Sequence, residues 1–403
     1  MKLSIAKRIY YKLKSYKDML YMLIARFVSL FYNGEGVWLV GEKPDEARDN
    51  GYWFYKYLVE TEGIKNAYYV LSSTSADYQK IISLPNARIV EPSSFKHRLL
   101  FWAALYNVSS QPLTDYFSSY RRIISLRKKS QVNVFLQHGI IKDNLSHGID
   151  AEGSGIDIFI TSAKREQQAV IERHGYNEKT CALTGLCRFD NLKPNASRSR
   201  TILVMPTFRH WIMAQNGHTA TKEERTKFLN DDFCMRYNYF LSSRRLEAML
   251  EKYDYKLIFY PHYCAQPFLD CFEDPGRTGR VVLASNKKYD VQKLLIDSDI
   301  LITDFSSIFF DFAYMKKPEA FYQFDEARYR DGHYEEGYFK YREDAFGPVI
   351  TEENEMLNWI ESRLQDNAKM EEKFIQRVDN FFAYTDQNNC ERTYNTIVNF
   401  ESK

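Results

Sequence analysis

The sequence predicts an α/β protein of two Rossmann-like domains with a cleft between them. Three observations carry that prediction. Short apolar strands alternate with helical segments from Gly36 onward, a second such run starts at Thr201, and polar residues gather where the strands stop. Alternation of this kind gives parallel sheets whose ligands bind beyond the carboxyl ends of the strands. At 403 residues the chain is long enough for two cores.

The first 33 residues stand apart. Lys2, Lys7, Arg8, Lys12, Lys14 and Lys17 face a single acid, Asp18, and the run 21–32 is apolar except for Arg26 and Ser29. That run is too short for a membrane span, and no small-residue cleavage site follows it. Basic residues interleaved with Tyr, Leu and Ile suit an amphipathic helix lying on an anionic membrane surface. The alternative is a helix that docks its apolar face on the protein body.

Residues 34–195 read as the first α/β domain. GVWLVGE (36–42) is a strand, a polar loop follows, and 52–61 is a helix. NAYYVLSS (66–73) and ARIVEP (87–92) are strands, 94–106 is helical, and NVSSQ (107–111) reads as a short strand end. VNVFLQHG (132–139) and IDIFITSA (156–163) are strong strands, the second followed by a helix through Gly175. The Pro-containing polar stretch 192–199 reads as a linker.

Residues 196–403 read as the second domain. TILVMPTFR (201–209), YKLIFYPH (255–262), VVLAS (281–285) and ILIT (300–303) are strands, with helices at 242–253 and 291–298 and a mostly helical tail at 353–402. The stretch DILITDFSSIFFDFA (299–313) is the most informative. A buried strand ends in Asp304, Ser306 and Ser307, and an almost wholly apolar helix follows. Such a turn offers backbone N–H groups and hydroxyls to an anion, although the same residues also serve as simple helix caps.

Composition removes several functions. A net charge of +2 gives no field for nucleic acid. The six cysteines show no CxxC or zinc spacing, and free thiols fit a reducing compartment. No dedicated metal-ligand set is visible and no cofactor is expected, while assistance of a bound phosphate group by a divalent cation stays open. Strand-end residues then carry the chemistry. His138 and His262 can accept a proton near neutral pH. Arg188, Arg209, Ser306 and Ser307 can hold phosphate. Each has a structural alternative, in a salt bridge or a cap, and their shared placement at strand ends argues for a site.

FLQHGIIKDN (135–144), TGLCRFDNL (184–192), ILVMPTFR (202–209), FYPH (259–262) and LITDFSSIFFDFAYMKKPEAFYQFDEARY (301–329) resemble, in that order, the CDP-glycerol glycerophosphotransferase family. HYEEGYFKYREDAFGPVI (333–350) resembles the family segment that ends in Gly-Pro. These are the bacterial teichoic acid primases and polymerases and their capsule-making relatives. The resemblance implies a fold similar to type B glycosyltransferases and transfer of a polyol phosphate, with release of CMP, from a CDP-activated donor such as CDP-glycerol. The acceptor it implies is a lipid-linked saccharide or growing polymer at the cytoplasmic face of the membrane. It implies His138 as general base, and Arg188, Arg209, His262, Asp304, Ser306 and Ser307 on the donor. Arg48 and Asn50 are acceptor-side candidates. The chain has Gln137 where many members have Trp, and Tyr260 where many have Arg. The competing readings are a nucleotide-sugar glycosyltransferase of the same fold and a non-catalytic membrane-attached scaffold.

Overall fold

Two all-parallel sheets organise the computed structural model, which describes residues 5–32, 34, 36–117, 120–144, 149–194, 198–212, 219–272, 278–332 and 335–401. Lys2, His147, His333 and residues 195–197 of the expected linker lie outside them, as do the side chains of Lys7, Arg8, Lys12 and Lys14.

The first sheet comprises β1 (Trp38–Gly41), β2 (Ala67–Val70), β3 (Ile89–Val90), β4 (Tyr106–Ser109), β5 (Val132–Phe135), β6 (Ile158–Thr161) and β7 (Cys181–Leu183), in the order 3-2-1-4-5-6-7. Helices such as Asn50–Glu60 and Lys164–His174 connect its strands. The second comprises β8 (Thr201–Val204), β9 (Lys256–Phe259), β10 (Val281–Leu283), β11 (Ile300–Thr303), β12 (Glu319–Tyr322) and β13 (Val349–Ile350), in the order 10-9-8-11-12-13. Both orders are Rossmann-like. Each reverses direction after its first strand, at β1/β4 and at β8/β11, and the reversal opens a crevice at the strand ends. β1, β5, β6, β8 and β11 are buried along their whole length, as strands covered on both faces must be.

The polar segment expected to be a strand end is a full central strand, β4, paired with β1 and β5. Its Asn107 lies opposite Asn133 of β5 and donates Nδ2–H to that residue's Oδ1 at 3.1 Å and to the Phe101 carbonyl at 3.2 Å. The buried Nδ2 is tolerated because one partner is supplied across the strand pair and the other by the helix Phe95–Ala103. β7, β12 and β13 were not anticipated. Two are only two or three residues long, and β12 opens on a buried glutamate.

The chain divides into two compact units: Met1–Ile140, Ser146–Asn191 and Phe382–Lys403 form unit 1, and Ile141–Leu145 and Leu192–Phe381 form unit 2. These units differ from the expected ranges in three places. The N-terminal helix Ile5–Ser29 belongs to unit 1, where Trp102 Nε1 donates to the Met22 carbonyl at 2.9 Å and Arg98 meets Asp18 at 2.6 Å. The C-terminal helix Asn389–Val398 returns to unit 1, because Asp190 accepts the Asn389 and Cys390 backbone N–H groups, both at 2.8 Å. Ile141–Leu145 belongs to unit 2, where Asp143 pairs with Arg330 at 2.7 Å and Asn144 bridges to Glu335. The unit boundary at Asn191/Leu192 falls where the linker was expected to begin.

Candidate active site

In unit 1 the polar residues gather beyond β1 and β5. β5 ends at Phe135, and the chain then turns sharply through Gln137, whose φ of 61° is left-handed. A non-glycine residue holds that conformation only where its surroundings enforce it. Here the Gln137 side chain is buried, donating Nε2–H to the Ile160 carbonyl and to Glu166 Oε1, the latter at 3.1 Å. His138 follows immediately and is exposed.

Its backbone is gripped from two directions. Asn50 Nδ2 donates to the Gln137 carbonyl at 2.8 Å, while Arg188 Nη1 donates to the His138 carbonyl at 3.0 Å. The grips are joined, since Asn50 Oδ1 accepts the Arg188 backbone N–H at 2.9 Å. Asp49 completes the group. It caps the helix Asn50–Glu60 by accepting from the Asn50 N–H, and it pairs with Arg188 Nη1 at 2.8 Å. Burial pushes the Asp49 carboxyl above its ordinary value, and the charges of Arg188 and His138 pull it back.

Glu42, directly after β1, accepts the backbone N–H groups of Arg48 (2.5 Å), Asp49 (3.1 Å) and Tyr52 (3.0 Å). Burial, and then the neighbouring Asp49 charge, push its pKa up to about 8. Gly51 allows this helix to sit so close, because a Cβ there would stand 2.6 Å from the Gly41 carbonyl oxygen. Arg48 is half-buried and paired with Asp77 at 2.7 Å.

In unit 2 the polar residues gather at the β8/β11 reversal. Asp304 directly follows β11, is fully buried, and accepts the Thr207 N–H at 2.8 Å and the Phe305 N–H at 2.5 Å. Arg209, 1% exposed, lies 2.9 Å from Asp304, makes a bidentate contact with Asp325 at 2.7 and 3.0 Å, and donates to the Thr207 carbonyl at 2.7 Å. The rings of Phe233, Phe305 and Tyr329 surround its guanidinium. Burial alone would lower its pKa, but Asp304 and Asp325 hold it well above the ordinary arginine value. Ser306 and Ser307 follow and are half-buried, and Ser306 Oγ lies 3.5 Å from the Ile308 N–H. The helix Phe309–Tyr314 begins after them with Ile308 at its N-cap position and no side-chain cap, while Ser306 closes the turn just before it. His262, after β9, accepts the Cys264 N–H on Nδ1 at 3.3 Å, which leaves its neutral-form proton on Nε2. Phe208 lies against its ring, with centroids 4.7 Å apart.

Unit 1 therefore brings His138, Arg188, Asn50 and Asp49 together, with Arg48 beside Asp77. Unit 2 brings Arg209, Asp304, Ser306 and Ser307 together. Three expectations change. Arg188 groups with the His138 backbone, whereas the sequence reading gave it to the donor. Asn50 is fully buried and spent on backbone groups. Arg209 and Asp304 are consumed by each other and by Asp325, so they shape the loop and present no surface to a ligand. The residues missed are Glu42, Asp49, Gln137 and Asp325. Glu42 ends a strand as His138 and Asp304 do, and that signal was available; Asp325 carried none. Among the described residues, no cluster of His, Cys, Asp and Glu could hold a metal ion.

The family described as CDP-Glycerol:Poly(glycerophosphate) glycerophosphotransferase matches residues 22–399. The minor teichoic acid biosynthesis protein GgaB of Bacillus subtilis is 31% identical over 394 residues, 94% of this chain and 42% of that protein. A teichoic acid ribitol-phosphate primase of Bacillus spizizenii is 24% identical over 64% of this chain and 61% of its own. The chain thus spans less than half of GgaB. Among solved structures, the wall teichoic acid polymerase TagF aligns over 98% of both chains with a TM-score of 0.67 at 17% identity, a likeness of fold.

Proposed function

Because the chain belongs to the CDP-glycerol:poly(glycerophosphate) glycerophosphotransferase family, we propose that it transfers a polyol phosphate, glycerol phosphate foremost, from a CDP-activated donor to a hydroxyl of a lipid-linked saccharide or growing polymer. His138 takes the proton of the acceptor hydroxyl. The freed oxygen attacks the phosphorus that carries the polyol, the bond from that phosphorus to the oxygen bridging to CMP breaks, and CMP leaves with that oxygen. Ser306 and Ser307 hold the donor pyrophosphate with uncharged donors, and His262 adds its Nε2–H. Placing these groups before the reaction lowers the barrier by orientation and by stabilising the charge that moves to the leaving phosphate. Asn50, Arg188, Arg209 and Asp304 act by fixing the backbone that presents the others. Arg48, half-buried near the mouth of β1, is the remaining acceptor-side candidate.

The observation that carries this reading is an exposed imidazole on a backbone held from both sides, in a chain of this family. Titration of donor binding alongside CMP release tests it. His138→Ala is expected to abolish turnover and keep CDP-glycerol affinity, and unchanged turnover would remove His138 from the chemistry.

We infer that the reaction runs at the cytoplasmic face of a membrane with the protein bound peripherally, and the N-terminal helix supports that reading. Met22, Ala25 and Ser29 are buried, while Tyr16, Leu20, Ile24, Phe27 and Phe31 form an exposed stripe at helical spacing. No helix among the described residues is long and apolar enough to cross a membrane, so the stripe suits lying on a lipid surface, with the basic residues before it drawn to anionic headgroups.

A further inference from the structure

We propose that Asp49 is the positioning residue of the catalytic histidine, fixing His138 through Arg188 and favouring the protonated imidazole formed when the acceptor hydroxyl loses its proton. This rests on the reading of His138 as the base. The geometry is a closed chain of contacts within unit 1. A single nitrogen of Arg188 holds both Asp49 Oδ1, at 2.8 Å, and the His138 carbonyl, at 3.0 Å. The next residue, Asn50, holds the carbonyl before His138 and the backbone of Arg188. The start of one helix therefore sets the histidine loop and the arginine together. The Asp49 charge also interacts with His138 itself.

Every charged group around Asp49 enters the balance. Glu42 stands behind it after β1 and is held toward its neutral form by burial. Arg188 faces it from the segment Cys187–Asn191. The pair Arg48–Asp77 lies beside it and is internally neutral. Glu166, buried on the other side of the loop, holds the Gln137 side chain at 3.1 Å and is untouched by the substitutions below. On the side of the helix Asn50–Glu60, Asp49 is the anion and Arg188 the cation beside the His138 loop. A carboxylate near an imidazole raises its proton affinity, and a nearby guanidinium lowers it. The two neighbours of His138 thus push its basicity in opposite directions, and that opposition gives a test.

Asparagine caps a helix as well as aspartate does, so Asp49→Asn removes the charge and keeps the cap. The pH dependence of kcat/KM for CMP release, with CDP-glycerol and a detergent-solubilised glycerol-phosphate-terminated lipid acceptor, is the readout. Asp49→Asn should move the acidic limb to lower pH by roughly one unit and reduce the plateau, while Asp49→Glu restores the limb in part. Arg188→Gln should move the limb to higher pH. Limbs that stay in place, or that move the same way in both variants, overturn the proposal, since a merely structural role lowers activity without opposite shifts. His138→Asn separates the two readings. If it retains turnover, the base assignment itself has failed; if it is inactive while the Asp49 and Arg188 limbs stay fixed, only the present inference has.

Discussion

Removing Asp325 tests whether Arg209 is an internal brace or a ligand for the donor. Asp325→Ala takes away both partners of the bidentate contact, at 2.7 and 3.0 Å, and leaves Arg209 with Asp304 at 2.9 Å and the Thr207 carbonyl. Each charge-assisted hydrogen bond contributes ~1.5–3 kcal/mol, and breaking a buried pair costs ~3–5 kcal/mol. Asp304 still neutralises the guanidinium, so the lower end applies, about 3 kcal/mol. Urea unfolding followed by the fluorescence of Trp211 and Trp359, both in unit 2, would read this loss. Arg209→Lys should lose a similar amount, because an ammonium keeps the charge and cannot form the fork. A change below about 1 kcal/mol in Asp325→Ala, with donor affinity collapsing in Arg209→Lys at full stability, would refute the brace.

Three further outcomes are expected. Ser306→Ala with Ser307→Ala should weaken CDP-glycerol binding in calorimetry by about 1–3 kcal/mol per hydrogen bond lost, and an unaltered affinity would return the loop to a plain turn. Phe27→Ser with Phe31→Ser should reduce co-sedimentation with anionic vesicles, and raised salt should reduce it further; equal sedimentation in all conditions contradicts the lipid-facing stripe. Burial raises the Glu42 pKa to about 8, so the folded chain binds this proton more tightly than the unfolded one. Its contribution is complete below the unfolded carboxylate range and is lost as pH rises through about 8. The melting temperature should therefore fall less over that interval in Glu42→Gln than in the parent, and identical slopes would show that Glu42 ionises normally.

The two sheets were legible because their strands are apolar runs with turn residues at the ends, a pattern that both-face burial imposes. β4 was half legible, since one of the two partners of the buried Asn107 amide is Asn133, 26 residues away. The return of the C-terminal helix to unit 1 was not legible at all, because it depends on Asp190 receiving two N–H groups about 200 residues later. The site divides in the same way. His138 and the Asp304–Ser307 turn announce themselves at strand ends. Their partners do not, since Arg209 pairs with Asp325 across 116 positions and Arg188 with Asp49 across 139. Buried charge needs a counter-charge, but sequence does not say which one.

The central claim is transfer of a polyol phosphate with loss of CMP. Quantifying nucleotide and lipid product together, with CDP-glycerol, CDP-ribitol and UDP-sugars offered in turn to a lipid-linked acceptor, tests it most directly. The account predicts CMP from a CDP-polyol, matched one for one by acceptor that has gained a polyol phosphate, and none from His138→Ala. Release of UDP with a new glycosidic bond, or tight CDP-polyol binding with no CMP released, would contradict it.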